Sequence, residues 1–258
     1  MLSIKNNLMA DIASRHLGRS YERLSTSVER LSSGLRINSA RDDAAGLAVR
    51  ELVRADIAVL RQGSRNAQDA ISMLQTGEGA VGAIDEILVR MKELAEQAAT
   101  ESYSSEQRSI MNQEFAQLAT EINRIASDTK YSGTALIGGQ GGTLDFQIGS
   151  ANGGTTEDQI QVNFSNVNFV STNLCVDGMD LTGKATAQAA IDNVDKGVSV
   201  AGAGMGNIGA AQSRLSFASA NLANTIENLA ASESTIRDAD MAFEMVNFTR
   251  NQIMLQAG

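Results

Sequence analysis

Three groups of side chains in this sequence are of the types that perform chemistry: the adjacent carboxylates Asp42 and Asp43, the single histidine His16 and the single cysteine Cys175. Neighbouring carboxylates can divide acid and base roles, and a histidine can activate a serine or cysteine nucleophile. A Ser-His-Asp or Cys-His site would have to use His16, on a helix expected to join a subunit contact, with Cys175 far along the chain in the hairpin region, which argues against such a site. Asp42 and Asp43 instead follow Ser39 just ahead of a long apolar helical pattern. Ser39 there caps a helix, Asp42 sits three residues on as its capping-box partner, and Asp43 favours the positive helix end. One cysteine allows neither an intrachain disulfide nor a cysteine-based zinc site, and no other metal-ligand spacing occurs. The expectation is no enzyme, no catalytic residue, no metal and no cofactor. Cys175 itself reads equally as a small buried hydrophobe or as an exposed thiol.

The elements that would position any site are mostly helical. Val194, Ala201, Ile208, Leu215, Leu222, Leu229 and Ile236 repeat at every seventh residue. Leu60, Ala67, Leu74, Val81, Leu88 and Ala95 do the same, with Ala70, Ile84, Met91 and Ala98 in the companion position. Such a repeat keeps one stripe of a helix against the same neighbour, so each segment needs another helix to cover it. The pattern predicts a helix from Asp43 to Ala99, about 85 Å if unbroken, weakened by Gly63, Gly77 and Gly79. Ahead of it, Leu17, Tyr21, Leu24, Val28 and Leu31 predict a helix stopped at Ser32-Ser33-Gly34. After a turn at 101–105, Met111, Phe115, Leu118, Ile122 and Ile125 predict an antiparallel return. A helix from near Thr186 to about Leu229 is expected to use Gly202, Gly204, Gly206 and Gly209 for close helix approach. Met241, Met245, Val246, Phe248, Ile253 and Leu255 mark a last helix. Between the helical halves, residues 131–184 are glycine-rich and polar. There Leu144, Phe146 and Ile148, then Ile160, Val162 and Phe164, alternate as the two arms of a β-hairpin with a turn over 149–158. The fold class is therefore mainly α, a long antiparallel helical bundle or coiled coil with a small β-hairpin region protruding from it.

Composition narrows the function. Aromatics make up only 4% of the chain, which suits closely packed helices better than a deep ligand pocket. A formal charge of -9, with no run among the 21 basic residues, argues against nucleic-acid binding. No secretory h-region precedes the first helix and no run is long enough to span a membrane, so the protein stays inside or leaves by another route. Proline is absent, which removes helix breakers and slow isomerisation from the chain.

The segment Leu31-Ser32-Ser33-Gly34-Leu35-Arg36-Ile37-Asn38-Ser39-Ala40-Arg41-Asp42-Asp43-Ala44-Ala45-Gly46-Leu47-Ala48 closely resembles the N-terminal signature of bacterial flagellins. The likeness extends through Gln68 to Thr76, Phe146 to Asn152, Gly209 to Leu215, and Ile236-Arg237-Asp238-Ala239-Asp240. Only about 165–190 lacks a family pattern. The resemblance implies a structural filament subunit with an inner part of terminal helices, 1–40 with 235–258, and an outer part, 41–234, that includes the short variable region at 131–184. It implies a homopolymer in the secreted, extracellular bacterial flagellum. Delivery would be by the flagellar type III export apparatus and an export chaperone, with hook-associated and cap proteins as further partners. Neither nucleic acid nor membrane insertion is expected. A zinc protease housed in some relatives would need His-Glu-x-x-His, which this sequence lacks.

The terminal helices, through Leu17, Tyr21, Leu24, Val28, Leu31, Met245, Phe248 and Leu255, are the expected filament-core contacts. They should be mobile in the monomer and order against neighbouring copies. By resemblance, Arg90, Leu94 and Glu114 match positions that engage the host Toll-like receptor 5, with Gln97 on the same exposed strip and Arg214 nearby on the returning helix. The simpler reading is that Leu94 flanks the helical seam and Arg90 pairs with Glu86 or Glu93. Flagellins usually continue their last helix for several heptads past a stretch like Gln252 to Gly258, so a shortened final helix and poor self-assembly are expected of this form. Thr155, Thr156, Ser165, Ser171 and Thr172 read as solubilising polar residues or as glycan acceptors. A hook-filament junction protein is the rival reading, disfavoured by the long match over Leu31 to Ala48.

Overall fold

The structure, a computed structural model, describes residues 8–139, 142–149, 158–164 and 168–257. Its helices are α1 (Leu8–Ser33), α2 (Ala44–Ala99), α3 (Ser105–Asp128), α4 (Lys184–Arg237) and α5 (Met241–Ala257). Two antiparallel hairpins complete the described elements, β1 (Lys130–Tyr131) with β2 (Thr134–Ala135), and β3 (Thr143–Gln147) with β4 (Gln159–Asn163). The mainly α fold expected from the seven-residue repeats is present. The chain divides into two compact units, one built from residues up to Val59 and from Asn224 onward, the other from Leu60–Ala223.

In the Leu60–Ala223 unit the heptad rows predict burial closely. Ala67, Leu74, Val81, Leu88 and Ala95 on α2 and Val194, Ala201 and Leu215 on α4 are fully buried, in one core with Phe115 and Ile122 of α3. The two long helices run antiparallel, tied at one level by Lys92 and Asp195 at 2.7 Å and at another by Gln212 donating to Glu78 at 2.8 Å. Helix α2 passes through Gly63, Gly77 and Gly79 without a break, because its buried row outweighs the roughly 1 kcal/mol that each glycine costs a helix. Ser104 caps α3 through a reciprocal capping box with Gln107, which fixes the return after α2.

The described part of the middle segment packs into the core rather than protruding. Leu136, Ile137, Phe164, Phe169, Leu174, Val176 and Leu181 belong to the same buried core as α2, α3 and α4. Two long helices present more apolar surface than one α3 can cover, and these residues supply the remainder. The hairpin pairs Phe146 with Ile160 and Leu144 with Val162, so its expected arms are in register. The turn between them at 150–157 lies outside the described residues. The tighter β1–β2 hairpin was not foreseen; Ser132 and Gly133 turn it at φ of 49° and 86°.

Polar side chains on the helices clamp this segment down. Asn123 of α3 donates to Ser171 Oγ at 2.8 Å and accepts from the Ser171 N–H at 2.9 Å. Asn112 accepts from the Leu181 N–H at 3.0 Å, and Asn66 of α2 donates to the Gln147 carbonyl at 2.9 Å. The α4 glycines serve a different contact from the one expected. A Cβ on Gly204 would stand 2.2 Å from the Phe169 ring, whereas Gly202, Gly206 and Gly209 face open space. The close approach is thus of the 168–174 segment to α4, not of helix to helix. Helix α4 also begins two residues before the expected Thr186 and runs to Arg237, well past Leu229.

In the other unit α1 packs on α5. Helix α1 ends at Gly34, whose φ of 71° lets its N–H donate to the Arg30 carbonyl at 2.8 Å. The chain after Gly34 is stitched to the end of α4. The Arg36 N–H donates to the Arg237 carbonyl at 2.7 Å, the Ala239 N–H donates to the Gly34 carbonyl at 3.0 Å, and the Arg36 guanidinium donates to the Ile236 carbonyl at 2.8 Å. Ile37, next to Arg36, is 2% exposed and its Cδ1 lies against Gly46 of α2.

Replacing Asn123 with Ala removes both bonds to Ser171 and leaves a buried N–H without a partner. Urea unfolding should report a loss of about 2–3 kcal/mol, while Ser127→Ala on the exposed face of the same helix should change stability by less than about 0.5 kcal/mol.

Candidate functional site

Among the described residues no group of three or more histidine, cysteine or acidic side chains could hold a metal ion, and no helix is long and apolar enough to cross a membrane. His16 is exposed on α1, and Cys175 is exposed in a loop at a φ of 58°. Cys175 is therefore the exposed thiol of the two readings. Asp42 and Asp43 are structural, with a shifted division of labour. Asp43, not Ser39, caps α2, its Oδ1 accepting from the Gly46 N–H at 2.9 Å. Asp42 folds back one turn earlier, where its Oδ2 accepts from the Ser39 N–H at 2.9 Å, the Ser39 hydroxyl at 3.0 Å and the Asn38 N–H at 3.2 Å. The helix starts at Ala44 because this tight turn occupies Ser39 and Asp42. The Ser39 hydrogen bonds, backbone first, then side chain, hold the Asp42 carboxyl below its ordinary value, helped by Asn38 and the charge of Arg30.

Two surfaces collect the residues singled out from the sequence. The first is the α2–α3 face. Arg90 Nε and Nη2 both donate to Glu114 Oε1, at 3.1 and 2.9 Å, and Nη1 donates to Glu93 Oε2 at 3.0 Å. The structure thus brings Arg90 and Glu114 together across two helices and satisfies the pairing with Glu93, not that with Glu86. The bonds to Glu114, then to Glu93, push the guanidinium pKa further upward. Gln97 donates to the Tyr103 hydroxyl at 2.8 Å, about two turns beyond Arg90.

Leu94 and Arg214 depart from the expected strip. Leu94 is 2% exposed and lies in the core beside Met91, because α3 returns over the flank of α2 that the heptad count leaves open. Arg214 is exposed on α4 but far from Arg90. The antiparallel ties at Glu78–Gln212 and Lys92–Asp195 set it near the level of residue 76, which at 1.5 Å per residue is about 20 Å from Arg90.

The second surface is the pair of terminal helices. On α1 Ile12, Leu17, Ser20, Leu24, Thr26, Arg30 and Leu31 are half-buried and Ser27 is buried; Tyr21 and Val28 are 60% and 47% exposed. Helix α5 covers only the serine flank of the leucine row, so the other flank stays open. On α5 the covered residues are Glu244, Asn247, Phe248, Asn251 and Leu255. Met241, Met245, Val246, Ile253 and Met254 are exposed. Of the expected core contacts, Leu17, Leu24, Leu31, Phe248 and Leu255 are half-buried, while Tyr21, Val28 and Met245 are exposed. Sequence reading missed the polar floor of this interface, where Ser27 and Glu244 are 3% and 6% exposed and Arg30 lies 3.8 Å from Glu244. The signal was available in Ser20 and Ser27, seven apart, but serine does not register in an apolar count.

Of the residues read as glycan acceptors, Ser171 is fully buried on Asn123 and Thr172 is exposed; Thr155, Thr156 and Ser165 lie outside the described residues.

The chain is similar to known proteins along most of its length. Residues 4–141 match the bacterial flagellin N-terminal helical region, and residues 185–258 match the bacterial flagellin C-terminal helical region. A flagellin of Halalkalibacterium halodurans is 41% identical over 254 residues, covering 98% of this chain and 92% of that protein. A flagellar filament 31.3 kDa core protein of Treponema maltophilum is 36% identical over 269 residues, covering 99% and 93%. Among solved structures, Bacillus cereus flagellin superposes with a TM-score of 0.52 at 27% identity, covering 66% of this chain and 94% of that one.

The buried leucine and the exposed arginine of the α2–α3 face respond differently to substitution. Leu94→Ala should cost roughly 3 kcal/mol in chemical unfolding, whereas Arg90→Gln should leave the midpoint unchanged. In acid, Asp42 has the sign of a depressed carboxyl. Its stabilisation is complete above the ordinary value of 3.8 and is lost as pH falls through its lower folded value. An acid titration of Asp42→Asn, followed by circular dichroism, should show a shallower loss than the parent.

Proposed function

Because this chain belongs to the bacterial flagellin family, we propose that it assembles as a subunit of the flagellar filament through its terminal helices, 1–40 with 235–258, which form the filament core. The observation that carries this reading is the uncovered apolar face of α5, Met241, Met245, Val246, Ile253 and Met254, opposite the face that α1 covers. Apolar area of that extent on a charged, soluble chain is stabilised when a second copy removes it from water, at about 25 cal/mol per Å². The exposed Tyr21 and Val28 of α1 extend the same requirement to the N-terminal helix. Residues 41–234 form the outer part. The α1–α5 pair covers one stripe of each helix, so ordering of the rest is coupled to assembly.

Delivery runs through the flagellar export apparatus with an export chaperone. The filament is extracellular, and hook-associated and cap proteins are its end partners. The absence of proline and of any intrachain disulfide suits a chain that travels unfolded and refolds at its destination. The rival reading, a hook-filament junction protein, shares terminal helices and export route. The family match over residues 4–141 and 185–258 favours the filament itself.

The α2–α3 face is the proposed contact for Toll-like receptor 5. The Arg90–Glu114–Glu93 cluster is held by its own hydrogen bonds, so a receptor would meet a pre-ordered charged patch without paying to order it. Leu94 then supports that patch from beneath rather than touching the receptor. Gln97 flanks the cluster, and Arg214 would belong to a separate, more distant contact.

Filament and junction roles separate by deletion of the gene. Loss of the filament material itself is expected, whereas free filaments shed into the medium would show a junction protein. In the same cells Met245→Asp should abolish filaments in electron micrographs and leave the purified chain helical by circular dichroism; normal filaments from that variant would overturn assembly through α5. For the receptor, Arg90→Ala with Glu114→Ala should lower activation by purified monomer at least tenfold, and unchanged activation would refute the contact.

A further inference from the structure

The interface of α1 and α5 contains a cavity of 420 Å³ to which no role is attached. It lies wholly within the unit formed by the two chain ends. Four arginines line it: Arg23 and Arg30 from α1, Arg41 from the following loop and Arg250 from α5. Their numbers are scattered through the sequence, and only the pairing of α1 with α5 brings them around one space. Two carboxylates, Glu22 and Glu244, are also in the wall. Four guanidinium groups against two carboxylates leave a local formal charge of two positive, in a chain whose net charge is -9.

The arginines are not consumed by the protein. Arg30 reaches Glu244 at a loose 3.8 Å, and its Nε is buried without a hydrogen-bond partner. Arg23, Arg41 and Arg250 enter no hydrogen bond or ion pair among the described residues. Elsewhere on the molecule the guanidinium groups of Arg90, Arg124 and Arg237 each have two acidic partners. Gathering like charges around one cavity is unfavourable unless something of opposite sign enters it, and a guanidinium is built to grip an oxyanion with two parallel N–H donors.

We propose that this cavity is an oxyanion-binding site. The anion takes the free donors of Arg23, Arg41 and Arg250, with the Arg30 guanidinium adding its charge to the same wall. The chemistry is the same for a solute such as inorganic phosphate and for the carboxylate of an acidic side chain on a second copy. The second source alone rests on the assembly reading above. In either case the bound charge cross-links α1, the loop after it and α5.

Isothermal titration of the full chain with sodium phosphate, against sodium chloride of equal ionic strength, tests the site directly. One saturable site is expected, weakened at least tenfold in the double variant Arg23→Gln with Arg250→Gln, whose helix content by circular dichroism should match the parent because both side chains are exposed. Arg41→Gln, in the loop rather than on either helix, provides an independent weakening. A second measurement identifies the natural source. If the anion comes from another copy, phosphate raises the critical concentration for assembly of the parent but not of the double variant; if it comes from solution, phosphate binds without that effect. Absence of saturable phosphate binding by the parent, or equal binding by the double variant, overturns the proposal.

Discussion

Cover for apolar helix rows is the constraint from which the rest of this structure follows. A row repeating every seven residues needs a neighbour along its whole length, and the two units meet that need in different ways. In the Leu60–Ala223 unit the rows of α2 and α4 are closed by each other, by α3 and by the buried residues between Leu136 and Leu181. In the other unit α5 gives α1 one partner only, and that partner turns its Glu244, Asn247 and Asn251 inward with Phe248 and Leu255. The apolar residues left outside are those that another molecule must shield.

The completed core depends on polar groups as much as on apolar ones. A non-helical segment laid over helices brings backbone N–H and carbonyl groups that lose water on burial. Asn66, Asn112 and Asn123 supply partners to Gln147, Leu181 and Ser171, and Gly204 leaves room for the Phe169 ring. These residues let a polar, glycine-rich stretch form part of a dry interior. In the unit of the chain ends, the bond from Arg36 to Arg237 and the bond from Ala239 to Gly34 join two segments that the sequence had marked as family signatures. That pairing places Arg41 near the α1–α5 junction, where it meets arginines from both helices.

Much of the fold was legible because helical periodicity is a local property. The spacing of Leu60 through Ala95 and of Val194 through Leu222 named the buried faces correctly, and the alternation at Leu144 to Phe164 named the hairpin. The candidate site was legible only in part. Arg90 and Glu114 were named, and they do meet. Leu94 was left between an exposed strip and the flank of the seam, and Arg214 was set near Arg90, because neither the course of α3 nor the register of α4 on α2 is written in any one helix.

The sequence by itself determined the helical class, the buried rows of the long helices, the lack of a metal-ligand or nucleophile pattern, and the family. These depend on residue type at short separations, where 3.6 residues per turn fixes which side chains share a face. Tertiary structure alone decided which flank of each row is covered. Tyr21 and Val28 stay open while Ser20 and Ser27 are covered, although both pairs border the same leucines. It also decided that Arg23, Arg30, Arg41 and Arg250 surround one cavity. The physical reason is that a heptad specifies a direction on the helix to within one side chain's width, whereas the partner lying in that direction, and its register, are set by residues as much as two hundred positions away.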